Sequence, residues 1–249
     1  MTVSRAKAFP LPHEALLAGI RPNIHFRHFQ PEAPIRNGIV TIDDFKALLD
    51  VFNTVLNDRT PLNTDPWLQA MTRMSTLANG YLINAIVHRL NPETVYLNVG
   101  TFEGFTFFSG LAGNDGAHCI GVDNFSQFGG PRERFFAGYR RYKNPKTEFF
   151  NLDYVKYFRD QHTAPIGFYV YDGPHDYENQ KNGLVAAEPW LAPDALIMVD
   201  DTNDDIVRNA TFDFIAGRND RYRVLLDERT AGNEHPTWWN GVMLIGHNG

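Results

Sequence analysis

Three aspartates and one histidine in the second half of the chain have the types and the spacing to do chemistry. Asp172 closes the apolar run Phe168-Tyr169-Val170-Tyr171, His175 follows three residues later in a polar turn, and Asp200-Asp201 close a second apolar run, Ala195 to Val199. An oxygen-only set such as Asp172, Asp200 and Asp201 suits a hard divalent cation, Mg²⁺ first and Ca²⁺ or Mn²⁺ as alternatives, better than zinc. With neither a cation nor protons between them, three carboxylates at one sheet edge repel one another. An imidazole, whose ordinary pKa lies near neutrality, is suited to take a proton from a hydroxyl. Structural roles compete with these: the aspartates as caps of the loops after two strands, and His175 as a helix cap or a partner of Asp172. The adjacency of Asp200 and Asp201 favours metal binding over capping.

The elements that must position these groups follow from periodicity. Short unbroken apolar runs suit strands covered on both faces, as in a parallel sheet. Between the two runs, Tyr177, Leu184, Val185, Ala187, Glu188 and Leu191 give a pattern closer to a helix of about four turns, ended by Pro193. Strand, helix, strand in one sheet implies a right-handed crossover that delivers both carboxyl ends to the same side. Ligands of open sheets bind outside those ends.

A second constellation lies upstream. Gly100-Thr101-Phe102-Glu103-Gly104 falls between a strand, Val95 to Val99, and a helix opening at Phe105. Glycine there permits a tight turn and a close approach of ligand to backbone, although a full GxGxxG is absent. Asp123 ends the next strand, Ala117 to Val122, about 20 residues later, where a carboxylate can accept both ribose hydroxyls of an adenosine. A helix cap is the competing role. Loop and carboxylate together indicate an adenosine cofactor.

The remaining chain reads as support. Residues 1–40 are rich in Pro, His and Arg without a sustained period, which suggests an arm or lid. Thr41 to Leu56 and Pro66 to Leu90 read as two helices, the second stopped by Asn91-Pro92. Residues 1–92 then form an arm and helical cover, with candidate dimer contacts, and residues 93–249 form the catalytic domain. Further expected elements are a helix from Pro131 to Tyr142, a strand from Thr147 to Phe150 ending near Asp153, and a helix from Asp204, where Asp204-Asp205 suit a first turn. Tyr222 to Asp227 and Gly241 to Gly246 should pair antiparallel. The fold class is α/β: a Rossmann-like, doubly wound, mostly parallel sheet with a C-terminal antiparallel hairpin and an N-terminal helical extension. His235, Trp238 and Trp239 are candidates for either a substrate pocket or hairpin packing.

Composition narrows the partners. The 249 residues are 43% hydrophobic and 21% charged, ordinary for a globular protein, and the net charge of −6 argues against nucleic acid. The basic cluster Arg132, Arg134, Arg140, Arg141, Lys143 and Lys146 alternates with aromatic residues, as a solvated helix face does. No apolar run has the length of a membrane span and the N-terminus lacks the apolar core of a signal peptide, so a cytoplasmic protein is expected. Cys119 has apolar neighbours and reads as core.

The segments VYLNVGTFEGFTF, IGVDNF, FYVYDGPHDYENQ and ALIMVDD resemble successive motifs of the class I S-adenosylmethionine-dependent methyltransferases. The nearest branch is the metal-dependent small-molecule O-methyltransferases, including the macrolide and aminocoumarin sugar O-methyltransferases and their cephalosporin-hydroxylase-like relatives. The resemblance covers roughly residues 95–247. It implies that Gly100 to Gly104 holds the methionine part of S-adenosyl-L-methionine, that Asp123 binds the ribose with Asn124 beside it, and that Asp153 lies near the adenine amino group. It also implies that Asp172, Asp200 and Asp201 ligate a divalent metal and that His175 is the base. One position departs: the family often has an acidic residue where this chain has Asn98. The resulting expectation is a metal-assisted O-methyltransferase acting on a hydroxylated small molecule, such as a sugar or natural-product intermediate. The alternatives are a nicotinamide (NAD) oxidoreductase, because Asp123 could hold that cofactor's ribose, or a methyltransferase-like binding protein without activity.

Overall fold

The computed structural model describes residues 13–27, 50–51, 53–218 and 220–249. Besides the short strands β1 (Ile24–Phe26) and β2 (Thr54–Leu56), they include a seven-stranded sheet built from β3 (Val95–Val99), β4 (His118–Val122), β5 (Thr147–Phe150), β6 (Ile166–Tyr171), β7 (Leu191–Asp200), β8 (Tyr222–Glu228) and β9 (Val242–His247), in the order β5-β4-β3-β6-β7-β9-β8. Strands β5 to β7 in that order pair in parallel, whereas β9 pairs antiparallel with both β7 and β8. The direction of winding reverses beside β3, between β4 and β6. This is the switch point at which such sheets open a crevice.

Two cores result from the period of two along each strand. Tyr96, Phe168, Val170, Leu196, Met198 and Leu244 face one way, where the helices Leu77–Val87, Phe105–Leu111 and Arg132–Tyr142 cover them. Leu97, Val99, Tyr169, Tyr171, Ile197 and Val199 face the other way, under the helices Tyr154–Asp160, Tyr177–Ala187 and Asp205–Ala216. The expected doubly wound α/β sheet with its terminal antiparallel pair is therefore present. In the Arg132–Tyr142 helix, Phe135 and Gly138 are buried while the arginines face solvent, and Cys119 is fully buried, its thiol pushed up to about 12 by desolvation. No helix among the described residues is long and apolar enough to cross a membrane.

The N-terminal region departs from expectation in three places. Within the stretch read as an aperiodic arm, His13–Ile20 is a helix that buries Leu16, Leu17 and Ile20 in the first core. In the expected helix from Thr41 to Leu56, Thr54–Leu56 is instead a strand, paired antiparallel with Ile24–Phe26; residues 41–49 and Phe52 lie outside the described residues. The expected continuous helix from Pro66 to Leu90 is two helices, Pro66–Ala70 and Leu77–Val87. Met71 turns extended and Thr76 caps the second helix by accepting from the Asn79 amide. The sequence reading also passed over the short Tyr154–Asp160 helix.

The break is held by a buried ion pair. Arg73 Nη2 donates to Asp50 Oδ2 at 2.7 Å, and the same oxygen accepts from the Leu77 amide at 2.9 Å. Asp50 Oδ1 accepts from the Thr54 hydroxyl at 2.9 Å, and the Arg73 guanidinium lies 4.8 Å from the centre of the Phe105 ring. Burial raises the Asp50 pKa even against this partner. Removing one member of a buried pair strands the other charge, at a cost of about 3–5 kcal/mol. Arg73→Met is accordingly expected to lower the unfolding free energy from chemical denaturation by that amount, and an unchanged midpoint would contradict the role given to the pair.

Candidate active site

The carboxyl ends of β3, β4, β6 and β7 open into one cleft of about 480 Å³. Its first wall is the turn after β3. Gly100 has φ +83°, and a Cβ added there would lie 1.7 Å from the carbonyl oxygen of Asp172. Only a residue without a side chain lets the turn pass so near the end of β6. Gly104, at φ +102°, caps the helix Phe105–Leu111.

Asp123 ties this turn to the chain after β4. Its Oδ2 accepts from the Phe102 amide at 2.8 Å and from the Thr101 hydroxyl at 3.4 Å, while Oδ1 accepts from the Phe125 amide at 2.7 Å. Gly100, Phe102, Asp123, Asn124 and Asp153 all line the cleft. Thr101, Glu103 and Gly104 do not: Thr101 and Glu103 are buried behind the turn, and Glu103 pairs with Arg134 at 2.5 Å. Asp153 caps the Tyr154–Asp160 helix through the Val155 amide at 2.9 Å, so the structural role considered for such aspartates holds for one of its oxygens. Asn98 is fully buried and turned away, donating to Tyr96 Oη at 3.0 Å and Thr106 Oγ1 at 3.2 Å.

The opposite wall carries the acidic groups. Asp172, His175, Asp200 and Asp201 all line the same cleft. His175 Nε2 lies 3.4 Å from Asp172 Oδ1 and 3.3 Å from Asp201 Oδ2, bridging the ends of β6 and β7. Asp201, left-handed at φ +56°, has its other oxygen held by Asn240 Nδ2 at 2.8 Å. Asp200 is 4% exposed, and its Oδ1 has no hydrogen-bond partner.

The electrostatics follow from crowding in a poorly solvated place. Burial pushes Asp172 up to about 6, the charges of Asp201 and Asp123 adding to the rise and His175 opposing it. Burial, then Asp172 and Asp201, drives Asp200 well above the ordinary carboxylate range. Burial pulls His175 down, but the two flanking carboxylates outweigh it and its pKa rises.

A divalent cation fits the donor chemistry. Its ligands would be all oxygen, the carboxylates destabilise one another without it, and Asp200 Oδ1 is a buried acceptor with nothing to accept from. Among the described residues no group of three or more His, Cys, Asp or Glu side chains is placed to hold a metal ion.

Of the candidate pocket aromatics, Trp239 lines the cleft, whereas Trp238 packs edge-on against Phe26 at 5.7 Å and His235 bridges back to Trp239. Asp204 caps the next helix, as expected, accepting from the Ile206 amide at 2.8 Å. Sequence reasoning missed Met74, Phe128 and Asn240, which also line the cleft. Phe128 is 62% exposed and meets Phe102 edge-on at 5.4 Å. Its signal was the Phe-Gly-Gly following Asp123; Met74 and Asn240 had none.

Residues 97–202 match a family described as a methyltransferase domain. Among solved structures, the chain is similar to a candidate O-methyltransferase from Klebsiella pneumoniae, at 13% identity over 88% of this chain and 94% of that one, with a TM-score of 0.57. It is also similar to the O-methyltransferase TomG from Streptomyces achromogenes, involved in tomaymycin synthesis and solved in complex with SAM, at 13% identity over 85% and 92% of the two chains, TM-score 0.52. No curated protein matches the chain in sequence. At these identities the structural likeness establishes the fold, a Rossmann-like methyltransferase fold.

Gly100→Ala should force the turn away from Asp172. The expected outcome is a lowered melting midpoint and at least roughly tenfold weaker binding of S-adenosylhomocysteine by calorimetry. Gly116→Ala, where an added Cβ meets nothing within 4 Å, should change neither.

Proposed function

We propose that the chain, whose residues 97–202 match a methyltransferase domain within a Rossmann-like methyltransferase fold, is a class I S-adenosylmethionine-dependent methyltransferase that methylates a hydroxyl of a small molecule with the help of a divalent cation. One observation carries the reading: a single cleft joins the Gly100 turn and Asp123 at one end to Asp172, His175, Asp200 and Asp201 at the other. The first set suits an adenosine cofactor and the second a hydroxyl that must lose its proton. The methyltransferase match favours this cofactor over a nicotinamide one.

In this reading the Gly100 turn receives the methionine part of the cofactor, Asp123 and Asn124 face the ribose, and Asp153 lies on the adenine side. Asp172, Asp200 and Asp201 would hold Mg²⁺ or a similar hard cation. When bound, S-adenosylmethionine supplies an electrophilic methyl on sulfur, and the cation supplies positive charge that stabilises the deprotonated acceptor oxygen.

The chain's own residues supply position and proton transfer. His175 Nε2 takes the acceptor proton, and Asp172 and Asp201, at 3.4 and 3.3 Å, stabilise the imidazolium that results. Asn240 fixes Asp201, and so the angle of the imidazole. The close approach of the Gly100 turn to Asp172 holds donor and acceptor ends near each other, which favours in-line transfer.

Calorimetry with S-adenosylhomocysteine and with NAD tests the cofactor: binding of the first and not the second is expected. Asp200→Ala should abolish calorimetric Mg²⁺ binding and the chelator sensitivity of turnover while leaving S-adenosylhomocysteine affinity within about twofold; full activity of this variant in chelator would sink the metal proposal. His175→Ala should lower kcat by roughly 10²–10⁴-fold with little effect on cofactor affinity, and a change confined to KM would point away from a base.

A further inference from the structure

The cleft has an unusual charge balance that bears on what enters it. The acidic side chains lining it are Asp123, Asp153, Asp172, Asp176, Asp200 and Asp201; His175 is its basic side chain, and no lysine or arginine lines it among the described residues. Arg134 pairs with Glu103, Arg73 with Asp50 and Arg208 with Asp227, and none of the three lines the cleft. Asp200 lines the cleft and its Oδ1 is buried without a hydrogen-bond partner, so this wall is a place for positive charge, the proposed cation first, and not merely solvated surface.

The reading proposed above brings positive charge to the cleft, but not enough to reverse its sign. The cofactor contributes one net positive charge and a divalent cation two. With a bound cation keeping all six carboxylates ionised, and even with His175 protonated, a negative balance of about two charges remains, focused by the low-dielectric walls. Phosphate and carboxylate groups are normally received by arginine, lysine or clustered backbone N–H groups. The turn after β3, where such N–H groups would be sought, is the part of the cleft assigned to the cofactor, and the Phe102 amide is already given to Asp123.

We infer, resting on the proposed methyltransferase reading, that the acceptor carries no phosphate, sulfate or carboxylate near the methylated hydroxyl, and that a protonated amine strengthens its binding. Trp239, next to Asn240 on the acidic side, supplies an apolar wall for the body of such a molecule. The class is a neutral or amine-bearing hydroxylated compound, favoured over phosphorylated sugars, nucleotide-linked sugars and hydroxy acids.

The test uses the full chain with S-adenosylhomocysteine and Mg²⁺ present, and three vicinal diols of similar shape as probes: dopamine (cationic), 4-methylcatechol (neutral) and 3,4-dihydroxybenzoate (anionic). Dopamine is expected to bind at least tenfold more tightly than the benzoate, with the neutral diol between them, and the gap should shrink as salt is raised. Asp176→Asn should narrow the gap while keeping the affinity for S-adenosylhomocysteine, because asparagine can still cap the helix at Tyr177 as Asp176 does through the Asn179 amide. Equal or tighter binding of the benzoate, or no binding of dopamine where S-adenosylhomocysteine binds, overturns the inference. If S-adenosylhomocysteine itself fails to bind the unaltered chain, the cofactor reading falls, a result separable from failure of the charge preference alone.

Discussion

The Gly100 backbone passes so close to the carbonyl of Asp172 that no side chain fits between them, and the rest of the site is arranged around that approach. The Gly100 amide donates to Val122 O and the Asp172 amide to Val99 O, both at 2.9 Å, so the chain leaving β3 is clamped to β4 on one side and to β6 on the other. Neighbouring strands lie about 4.8 Å apart. The turn proposed to hold the methyl donor and the first acidic side chain of the acceptor half therefore cannot drift apart without breaking the parallel ladder. Strand order alone puts the two halves of the cleft together; the missing Cβ sets their separation.

The acidic half is costly by itself. Burial and like charge raise both Asp172 and Asp200, and Asp201 is held in a left-handed conformation that non-glycine residues seldom adopt. What holds them is packing on both faces of β7, which lies between β6 and β9, together with the Asn240 bond to Asp201. Local cost maintained by a rigid surround is characteristic of sites whose chemistry needs it. A bound cation would relieve the repulsion and give Asp200 Oδ1 a partner.

The strands of this fold were legible because burial on both faces writes unbroken apolar runs, and the carboxylates that end those runs line the cleft. The positions of Gly100 and Asp123 were legible for a related reason, since each follows directly on a strand. The N-terminal helices were not. From Trp67 to Leu90 apolar residues continue at helical spacing, and the break at Met71 to Ser75 exists because Arg73 turns inward to Asp50, 23 residues away. A contact between distant residues leaves no local period. The Tyr154–Asp160 helix was hidden by its brevity, and the dual use of Asp153, capping with one oxygen and lining the cleft, cannot be read from residue type.

Three lining residues of the cleft come from segments outside the matched methyltransferase domain, which spans residues 97–202. Met74 comes from the broken helix, and Trp239 and Asn240 from the loop before β9. These two segments are bonded to each other: Thr76 Oγ1 donates to Thr237 O at 2.7 Å, and Asn53 Nδ2 to Pro236 O at 3.1 Å. The buried Asp50–Arg73 pair thus supports the cover, the cover supports the loop, and the loop's Asn240 holds Asp201. In the proposed reading, acceptor recognition can change through the cover and the loop while the strand ends assigned to the cofactor stay fixed, and the same chain of contacts explains why Arg73 is buried with its charge satisfied.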